Sequence, residues 1–277
     1  MRARIRRTIV AALLGAALAG RAAAADARPY AFAVVPQAPP EQTRALWLPV
    51  VERLAAVSGV PLRLQLYSDV EDFQEDLARG RVEFAFANPV QAVRAAQSAG
   101  YRPIIRNERL LRGVFFVAAD SPVASVDALE DREVALVGPW TFCSVSLRSY
   151  ARGLHIRPKY VGTSANAYKN VLLGMAAAGG VLDSTLEDAP PEIRSKLRVV
   201  YETPPMAPHA VIAHPRVPHE VASRVASALQ AMANAGGGLL GAVHLEAPVE
   251  ARYARDYAPL EHLLEVPGKG AGGGDRP

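Results

Sequence analysis

The sequence lacks several features that would define a protein class at once. It contains one cysteine, Cys143, so no internal disulfide can form and the fold must be held by its apolar core. Its longest apolar run, residues 9–19, is well short of the roughly 20 residues that span a bilayer. The glycine-rich phosphate loop, the dinucleotide fingerprint and the nucleophile elbow of serine hydrolases are all missing. These absences exclude an integral membrane protein and the enzyme classes that those motifs mark.

A basic segment opens the chain and accounts for most of its positive charge. Four arginines within residues 2–7 precede the apolar run, which ends in four alanines at residues 22–25. This order is typical of a secretory signal peptide, so we expect export and cleavage near Ala25. Without the five arginines of this segment, 26 basic residues stand against 27 acidic ones. A mature chain of that balance has no broad basic face, so we predict no nucleic-acid partner.

The chain after this segment alternates short apolar runs with amphipathic stretches. The predicted strands are residues 30–35, 62–66 and 82–89, and the predicted helices are residues 39–58, 68–80 and 90–99. In the first helix we expect Leu46, Val50 and Leu54 to face inward, and Ser68 with Glu71 to form a capping box for the second. This β-α-β-α-β order predicts a mostly parallel sheet with helices on its faces.

A second alternating series begins near residue 113. Its predicted strands are residues 113–119, 133–138, 159–162, 181–183 and 196–203, with helices from about residues 143, 165 and 190. After Pro204 and Pro205 come a strand at residues 209–214 and helices at residues 218–236 and 256–265. We therefore expect an α/β protein of two lobes. The predicted limits are residues 26–112 with 206–266 for lobe 1, residues 113–205 for lobe 2, and residues 267–277 for a disordered tail.

Hydroxyl-bearing residues stand at two predicted helix starts of the second series. Thr141 and Ser144 follow the buried strand "EVALVG", and Thr163 with Ser164 follows "KYVG". Backbone N–H groups at a helix start are unpaired and lie at the positive end of the helix dipole, so such starts bind anions. The same residues could equally serve only as N-caps. Because ligands bind off the carboxyl ends of parallel strands, Gln37 and the Asn88-Pro89 turn are further candidates.

The cysteine and the histidines permit other interpretations. Cys143 at a helix start could be a nucleophile, yet no acid or histidine lies near it in the sequence, so a buried thiol is the simpler interpretation. His209 and His214 fall on opposite faces of a predicted strand and could not readily share one ion. We predict no metal, no cofactor and no catalysis.

Four blocks of the sequence, in this order, resemble a known family. They are "FAVVPQAPPEQTRALWLPVVERLAAVSGVPLRLQLYSDVEDFQEDLARGRVEFAFANPVQAV", "VGTSANAYKNVLLGMAAAGG", "LRVVYETPPMAPHAVIAHPRVP" and "DYAPL". The family is that of the phosphate/phosphite/phosphonate-type periplasmic solute-binding proteins of ABC transporters. The resemblance implies a two-lobed, type II fold with two crossovers that closes on a small oxyanion. It also implies a periplasmic monomer that delivers its ligand to an ABC transporter permease.

The same resemblance implies a set of ligand-binding residues. They are Gln37, Tyr67, Asn88, Thr141, Ser144 and Ser164, with Asp183 as a partner for an amino group on the ligand. The chain departs from the family at two places. Phosphonate binders carry Ser-Thr-Ser-Gly where this chain has residues 141–144, Thr-Phe-Cys-Ser, and many members have Ser-His where it has residues 163–164, Thr-Ser. A different oxyanion, a larger ligand and a weakened site are therefore all open.

Two other functions compete with solute transport at this stage. A protein of this kind could act as a sensor, docking on a membrane histidine kinase or receptor instead of a permease. An exported hydrolase that uses Cys143 or a serine is the third hypothesis.

Overall fold

The computed structural model describes residues 28–139, 141–151, 153–236 and 238–265. The predicted signal peptide, with its cleavage site near Ala25, and the predicted tail lie outside these residues. No helix in the described part of the chain is long and apolar enough to span a bilayer.

The described residues form two sheets with helices packed on both. The strands are β1 (Tyr30–Val34), β2 (Leu62–Gln65), β3 (Phe84–Ala87), β4 (Arg102–Asn107), β5 (Gly113–Ala118), β6 (Glu133–Leu136), β7 (Arg157–Tyr160), β8 (Ala178–Leu182), β9 (Leu197–Glu202), β10 (Ala210–Ala213) and β11 (Pro248–Glu250). The helices are α1 (Pro40–Ser58), α2 (Val70–Ala78), α3 (Pro89–Ala99), α4 (Phe142–Tyr150), α5 (Ser164–Leu172), α6 (Asp183–Glu187), α7 (Pro191–Arg194) and α8 (His219–Asn234). Short 3₁₀ turns at Val126–Leu129 and Gly241–Val243, a π-helical turn at Tyr253–Tyr257 and a 3₁₀ helix at Ala258–Glu265 complete the fold.

The first sheet, with its helices, forms lobe 1. Its strand order is β11-β4-β10-β3-β1-β2. Strand β1 lies parallel to β2 and β3, because helical crossovers connect these strands. Strand β10 is antiparallel to β3 and β4, and β11 is antiparallel to β4. The prediction of a mostly parallel sheet is therefore wrong for lobe 1, whose sheet is mixed.

The second sheet forms lobe 2 and is mixed for a similar reason. Its order is β7-β6-β8-β5-β9, with β6 parallel to β7 and β8. Strand β5 carries the chain into this lobe and β9 carries it back, so β5 is antiparallel to β9, and it also runs antiparallel to β8. The α/β class and the two-lobed architecture are as predicted, but the strands at the crossovers add antiparallel pairs to both sheets.

The two segments that connect the lobes are paired with each other. Leu111 and Met206 form an antiparallel bridge with N–H···O distances of 2.9 and 2.8 Å. Beyond it, the Thr203 N–H donates to the Gly113 carbonyl at 2.9 Å, and the Gly113 N–H donates to Thr203 Oγ1 at 2.9 Å. The chain thus passes between the sheets at two adjacent places, which form one double-stranded connection.

Two local predictions in lobe 1 are wrong by about one residue. Helix α2 is capped by Asp69, which accepts from the Asp72 N–H at 2.8 Å, and not by Ser68. The N-cap lies one residue later than predicted, and from there the aspartate reaches the third N–H of the helix. Leu46 is 45% exposed, because α1 turns Trp47 onto Phe86 with ring centroids 4.7 Å apart.

Lobe 2 places α4 tightly against its sheet. A Cβ added to Gly180 of β8 would lie 2.5 Å from Leu136 Cδ2 and 2.6 Å from Leu147 Cδ1. The bare backbone at Gly180 therefore lets Leu147 of α4 reach the sheet. At its other end α4 crosses to lobe 1, where Phe142 and Val145 join the core cluster of that lobe.

Candidate functional site

A cavity of about 510 Å³ lies between the lobes. The lobe 1 residues that line it are Val35, Pro36, Gln37, Val70, Glu71, Asn88, Gln91 and His209. The lobe 2 residues are Val137, Gly138, Pro139, Thr141, Phe142, Cys143, Gly162, Ser164, Val181, Leu182 and Thr185. Most of these residues stand at strand ends and helix starts, where sheets of this kind bind ligands.

The start of α4 brings the hydroxyl-rich segment to the cavity. Thr141 is the N-cap, and its Oγ1 accepts from the Ser144 N–H at 3.3 Å. The two hydroxyl oxygens lie 2.8 Å apart, and Ser144 is fully buried behind Thr141 without lining the cavity. The first N–H groups of a helix have no partner within it, and here they belong to Phe142 and Cys143, which do line the cavity.

Arg148 braces the loop that leads into α4. Its Nη2 donates to the Pro139 carbonyl at 2.8 Å, and its Nε donates to the Ser144 carbonyl at 3.2 Å. The guanidinium group thereby ties the strand-to-helix loop to the first turn of the helix. This contact holds the cavity edge at Pro139 in place relative to the N–H groups of α4.

The start of α5 forms a second edge of the lobe 2 wall. Thr163 is the N-cap and accepts from the Asn166 N–H at 3.1 Å, while the next residue, Ser164, lines the cavity. Tyr168, one turn further along, donates to the Thr185 carbonyl at 2.8 Å. Burial raises the pKa of Tyr168, and a hydrogen bond with Ser164 opposes that rise.

The lobe 1 wall is built on the start of α3. Asn88 accepts from the Gln91 N–H at 2.9 Å, and the Gln91 side chain accepts from the Asn88 N–H at 3.0 Å. This reciprocal capping box follows β3, and both side chains are buried. The Asn88-Pro89 turn that the sequence singled out is therefore a fixed polar corner of the cavity.

His209 faces the same cavity and was not among the predicted site residues. Its Nε2 lies 3.0 Å from Gln37 Nε2, and its ring stacks on Phe86 with centroids 5.4 Å apart. Burial, with a smaller effect of His244, lowers the pKa of His209 to about 4. The imidazole is therefore neutral near pH 7, and its Nε2 accepts from the Gln37 amide. No local motif marks this residue, since its partner is 172 positions away.

Besides the buried Ser144, two of the predicted residues lie outside the cavity lining. Tyr67 donates its hydroxyl to Asp76 Oδ2 at 2.8 Å, and burial raises its pKa. Asp183 Oδ1 accepts from the Arg112 N–H at 3.1 Å, and its Oδ2 lies 3.7 Å from Arg109 Nη2. Tyr67 thus belongs to the packing of α2, and Asp183 holds the connection between the lobes. Of the seven predicted residues, the structure brings four to the cavity: Gln37, Asn88, Thr141 and Ser164.

The described lining of the cavity contains few charged side chains. Among the described lining residues, Glu71 is the only one with a formal charge at neutral pH, and none is a lysine or arginine. Burial, with a smaller contribution from Asp183, raises the pKa of the Cys143 thiol, so it is not a thiolate nucleophile. No cluster of metal-ligating side chains is found among the described residues. The arrangement is suited to binding, through N–H groups and neutral polar side chains.

Comparisons with known proteins agree with this geometry. The family of ABC transporter phosphonate periplasmic substrate-binding proteins matches residues 32–257. No curated protein sequence matches the chain. The Prochlorococcus marinus protein PhnD1, in complex with methylphosphonate, shares 11% identity at a TM-score of 0.68, over 85% of this chain and 97% of its own.

Two other solved structures have the same fold. A binding-protein component of an ABC phosphonate transporter from Pseudomonas aeruginosa shares 11% identity at a TM-score of 0.67, over 86% of each chain. XAC2383 from Xanthomonas citri, bound to ATP, shares 19% identity at a TM-score of 0.68, over 87% of this chain and 96% of its own. The chain therefore belongs to the periplasmic substrate-binding proteins of phosphonate ABC transporters, a family of solute-binding transport proteins and not of enzymes.

Proposed function

We propose that the protein captures a small phosphorus oxyanion (phosphate, phosphite, a phosphonate or a related anion) in the cavity between its lobes. The observation that carries the proposal is the meeting of helix starts from both lobes at one cavity, α3 from lobe 1 with α4 and α5 from lobe 2. At α4 and α5 the first N–H groups and the positive dipole end lie at the cavity lining. At α3, whose first residue Pro89 has no N–H, the side chains of Asn88 and Gln91 line the cavity instead. The methylphosphonate complex of PhnD1 supports the same ligand class.

Four side chains would supplement these N–H groups. They are Gln37, Asn88, Thr141 and Ser164, which line the cavity. Ser144 would act indirectly, because it accepts a hydrogen bond from the Thr141 hydroxyl at 2.8 Å and so fixes its position. We assign Tyr67 and Asp183 to supporting the fold around the site, because each is bonded outside the cavity.

Capture would work by closing the lobes on the ligand. The paired segments around Leu111 and Met206 form the connection about which the lobes can turn. Only a closed arrangement lets groups of both lobes contact one anion, so the ligand shifts the equilibrium toward closure.

We infer that the closed monomer then delivers the ligand to the permease of an ABC transporter. We also infer that residues 1–25 direct its export, and that the lobe limits are residues 26–112 with 206–266 and residues 113–205.

Thermal unfolding of the purified mature protein with added anions tests the proposal. The panel is phosphate, phosphite, methylphosphonate, sulfate and acetate. A ligand that binds only the folded state adds about 2.7 kcal/mol of stability at a hundredfold excess over Kd. We expect a rise in Tm with at least one phosphorus oxyanion and none with acetate. No rise with any of them would contradict oxyanion capture.

A matched pair of variants locates the effect. Thr141→Val and Thr163→Val each remove an N-cap, and each should cost about 1 kcal/mol of stability. Only Thr141 lines the cavity, so only Thr141→Val should lower the affinity for the anion, by about tenfold or 1.4 kcal/mol. Equal losses of affinity in the two variants would argue against a site at the start of α4.

A further inference from the structure

The cavity between the lobes has walls better suited to an organic group than to a bare anion. Apolar side chains from both lobes line it, among them Val35, Val70, Val137, Phe142, Val181 and Leu182. Methylphosphonate has five non-hydrogen atoms and occupies about 150 Å³, if about 30 Å³ is allowed for each of them. In a cavity of about 510 Å³ such an anion would leave most of the apolar wall in contact with water.

Charged side chains cannot strengthen the binding of a small anion in this cavity. The described lining residues include no lysine or arginine, and Glu71 is acidic. The dipole at one helix start changes the affinity for an anion by about fivefold when exposed and by up to about thirtyfold when partly buried. A small anion would thus be held by N–H groups and hydroxyls alone, whereas a ligand with an apolar part would also gain from burial.

A second cavity, in lobe 2, shares part of its lining with the ligand cavity. It has a volume of about 640 Å³ and runs between α5 and the α6–α7 segment. Ser164 and Thr185 line both cavities, so they stand where one gives way to the other. The lining of the second cavity is mostly apolar, with Lys169 and Asp188 as its charged members, and its apolar residues include Ala165, Tyr168, Leu172, Leu173, Pro190 and Ile193. We call it the α5 groove.

We propose that the natural ligand is an organophosphonate or phosphate monoester with an apolar alkyl or aryl substituent, which extends past Ser164 and Thr185 into the α5 groove. The inference rests on the proposed function, since the helix starts would hold the oxyanion end. The two cavities share Ser164 and Thr185, and both have mostly apolar linings, so a ligand that reaches from one into the other would bury its apolar part in both. Phe142 and Cys143 fit this arrangement, because they give the start of α4 an apolar surface.

The first experiment is a chain-length series measured by isothermal titration calorimetry on the mature protein. Methyl-, propyl-, hexyl- and phenylphosphonate are the probes. Burial of each added methylene should raise the affinity about threefold to fourfold, so hexylphosphonate should bind more than a hundredfold tighter than methylphosphonate. Equal affinity along the series would overturn the proposal, leave oxyanion capture standing and assign the α5 groove to another occupant. Absence of binding by every phosphonate would overturn the proposed function itself.

A matched pair of substitutions then tests the α5 groove. Leu173 lines it and is 60% exposed, whereas Met175 is 50% exposed and does not line it. Both positions accept a charged residue at the surface, so both variants should fold. Leu173→Asp should lower the affinity for hexylphosphonate at least tenfold and change the affinity for methylphosphonate less than twofold. Met175→Asp should change neither affinity. Equal effects of Leu173→Asp and Met175→Asp on hexylphosphonate would contradict a ligand substituent in the groove.

Discussion

The two walls of the cleft hold their polar groups in different ways. On lobe 1, side chains are held by one another: Asn88 pairs with Gln91, and Gln37 pairs with His209. On lobe 2, the polar groups are the N–H groups of two helix starts, each capped by its own threonine. The lobe 2 wall therefore depends on chain-local contacts, whereas part of the lobe 1 wall requires segments that are distant in sequence to come together.

The largest loss of stability should come from disturbing the packing of α4 against the sheet of lobe 2. Gly180→Ala places a Cβ within 2.6 Å of both Leu136 and Leu147, so we expect a loss of about 3 kcal/mol in the free energy of unfolding. Gly174→Ala is the control, because it meets no atom within 4 Å and strains only a backbone with φ of +68°. It should cost about 1 kcal/mol in urea unfolding. Similar losses in the two variants would mean that α4 does not need the bare backbone of β8.

His209 on the lobe 1 wall should make the free energy of unfolding decrease at acidic pH. Its pKa in the folded protein is about 4, below the unfolded value of 6.5, so the unfolded state binds more protons between these values. The free energy of unfolding should therefore fall by about 2 kcal/mol as the pH drops from 6.5 to 4. His209→Gln should reduce this slope in urea titrations at several pH values. A slope in His209→Gln equal to that of the wild type would contradict this assignment.

Asn88→Asp separates the two roles of this residue on the lobe 1 wall. Aspartate caps a helix as well as asparagine, so the free energy of unfolding should change by less than about 0.5 kcal/mol. It adds a negative charge to the cavity and removes the amide donor, so oxyanion affinity should fall at least about tenfold, or 1.4 kcal/mol. Thr163→Asp keeps the cap of α5 but lies outside the cavity lining, so it should lower the affinity for the anion much less. Calorimetric titration of both variants with the anion that binds the wild type makes the comparison.

The smallest effect should come from Arg148, which stiffens the lobe 2 wall. Arg148→Lys can keep only one of the two bonds to the Pro139 and Ser144 carbonyls, so we expect about 0.5 kcal/mol less stability. Anion affinity should fall twofold to threefold because the loop before α4 is less fixed. Arg198→Lys, which replaces a guanidinium bound to the Ser121 and Val123 carbonyls outside the cavity lining, should leave the affinity unchanged.

The difference between the walls also explains which predictions succeeded. The start of α3 after Asn88 and the start of α4 after Thr141 were predictable, because an N-cap lies within three residues of the N–H group that it binds. The pairing of Gln37 with His209 was not, since neither residue has a local signal. Strands β4 and β11 were missed because they are paired by distant β10 and by each other, not by a hairpin.

Residue order alone determined the alternation of strands and helices, the two lobes and the hydroxyl-rich helix starts, since each depends on apolar periodicity or on a cap a few residues long. The tertiary structure decided which of those starts face a common cavity, why Tyr67 and Asp183 lie outside it, and that His209 lies within it. It also decided the mixed direction of both sheets. These properties depend on how two crossover segments, more than ninety residues apart at Leu111 and Met206, meet and orient the lobes.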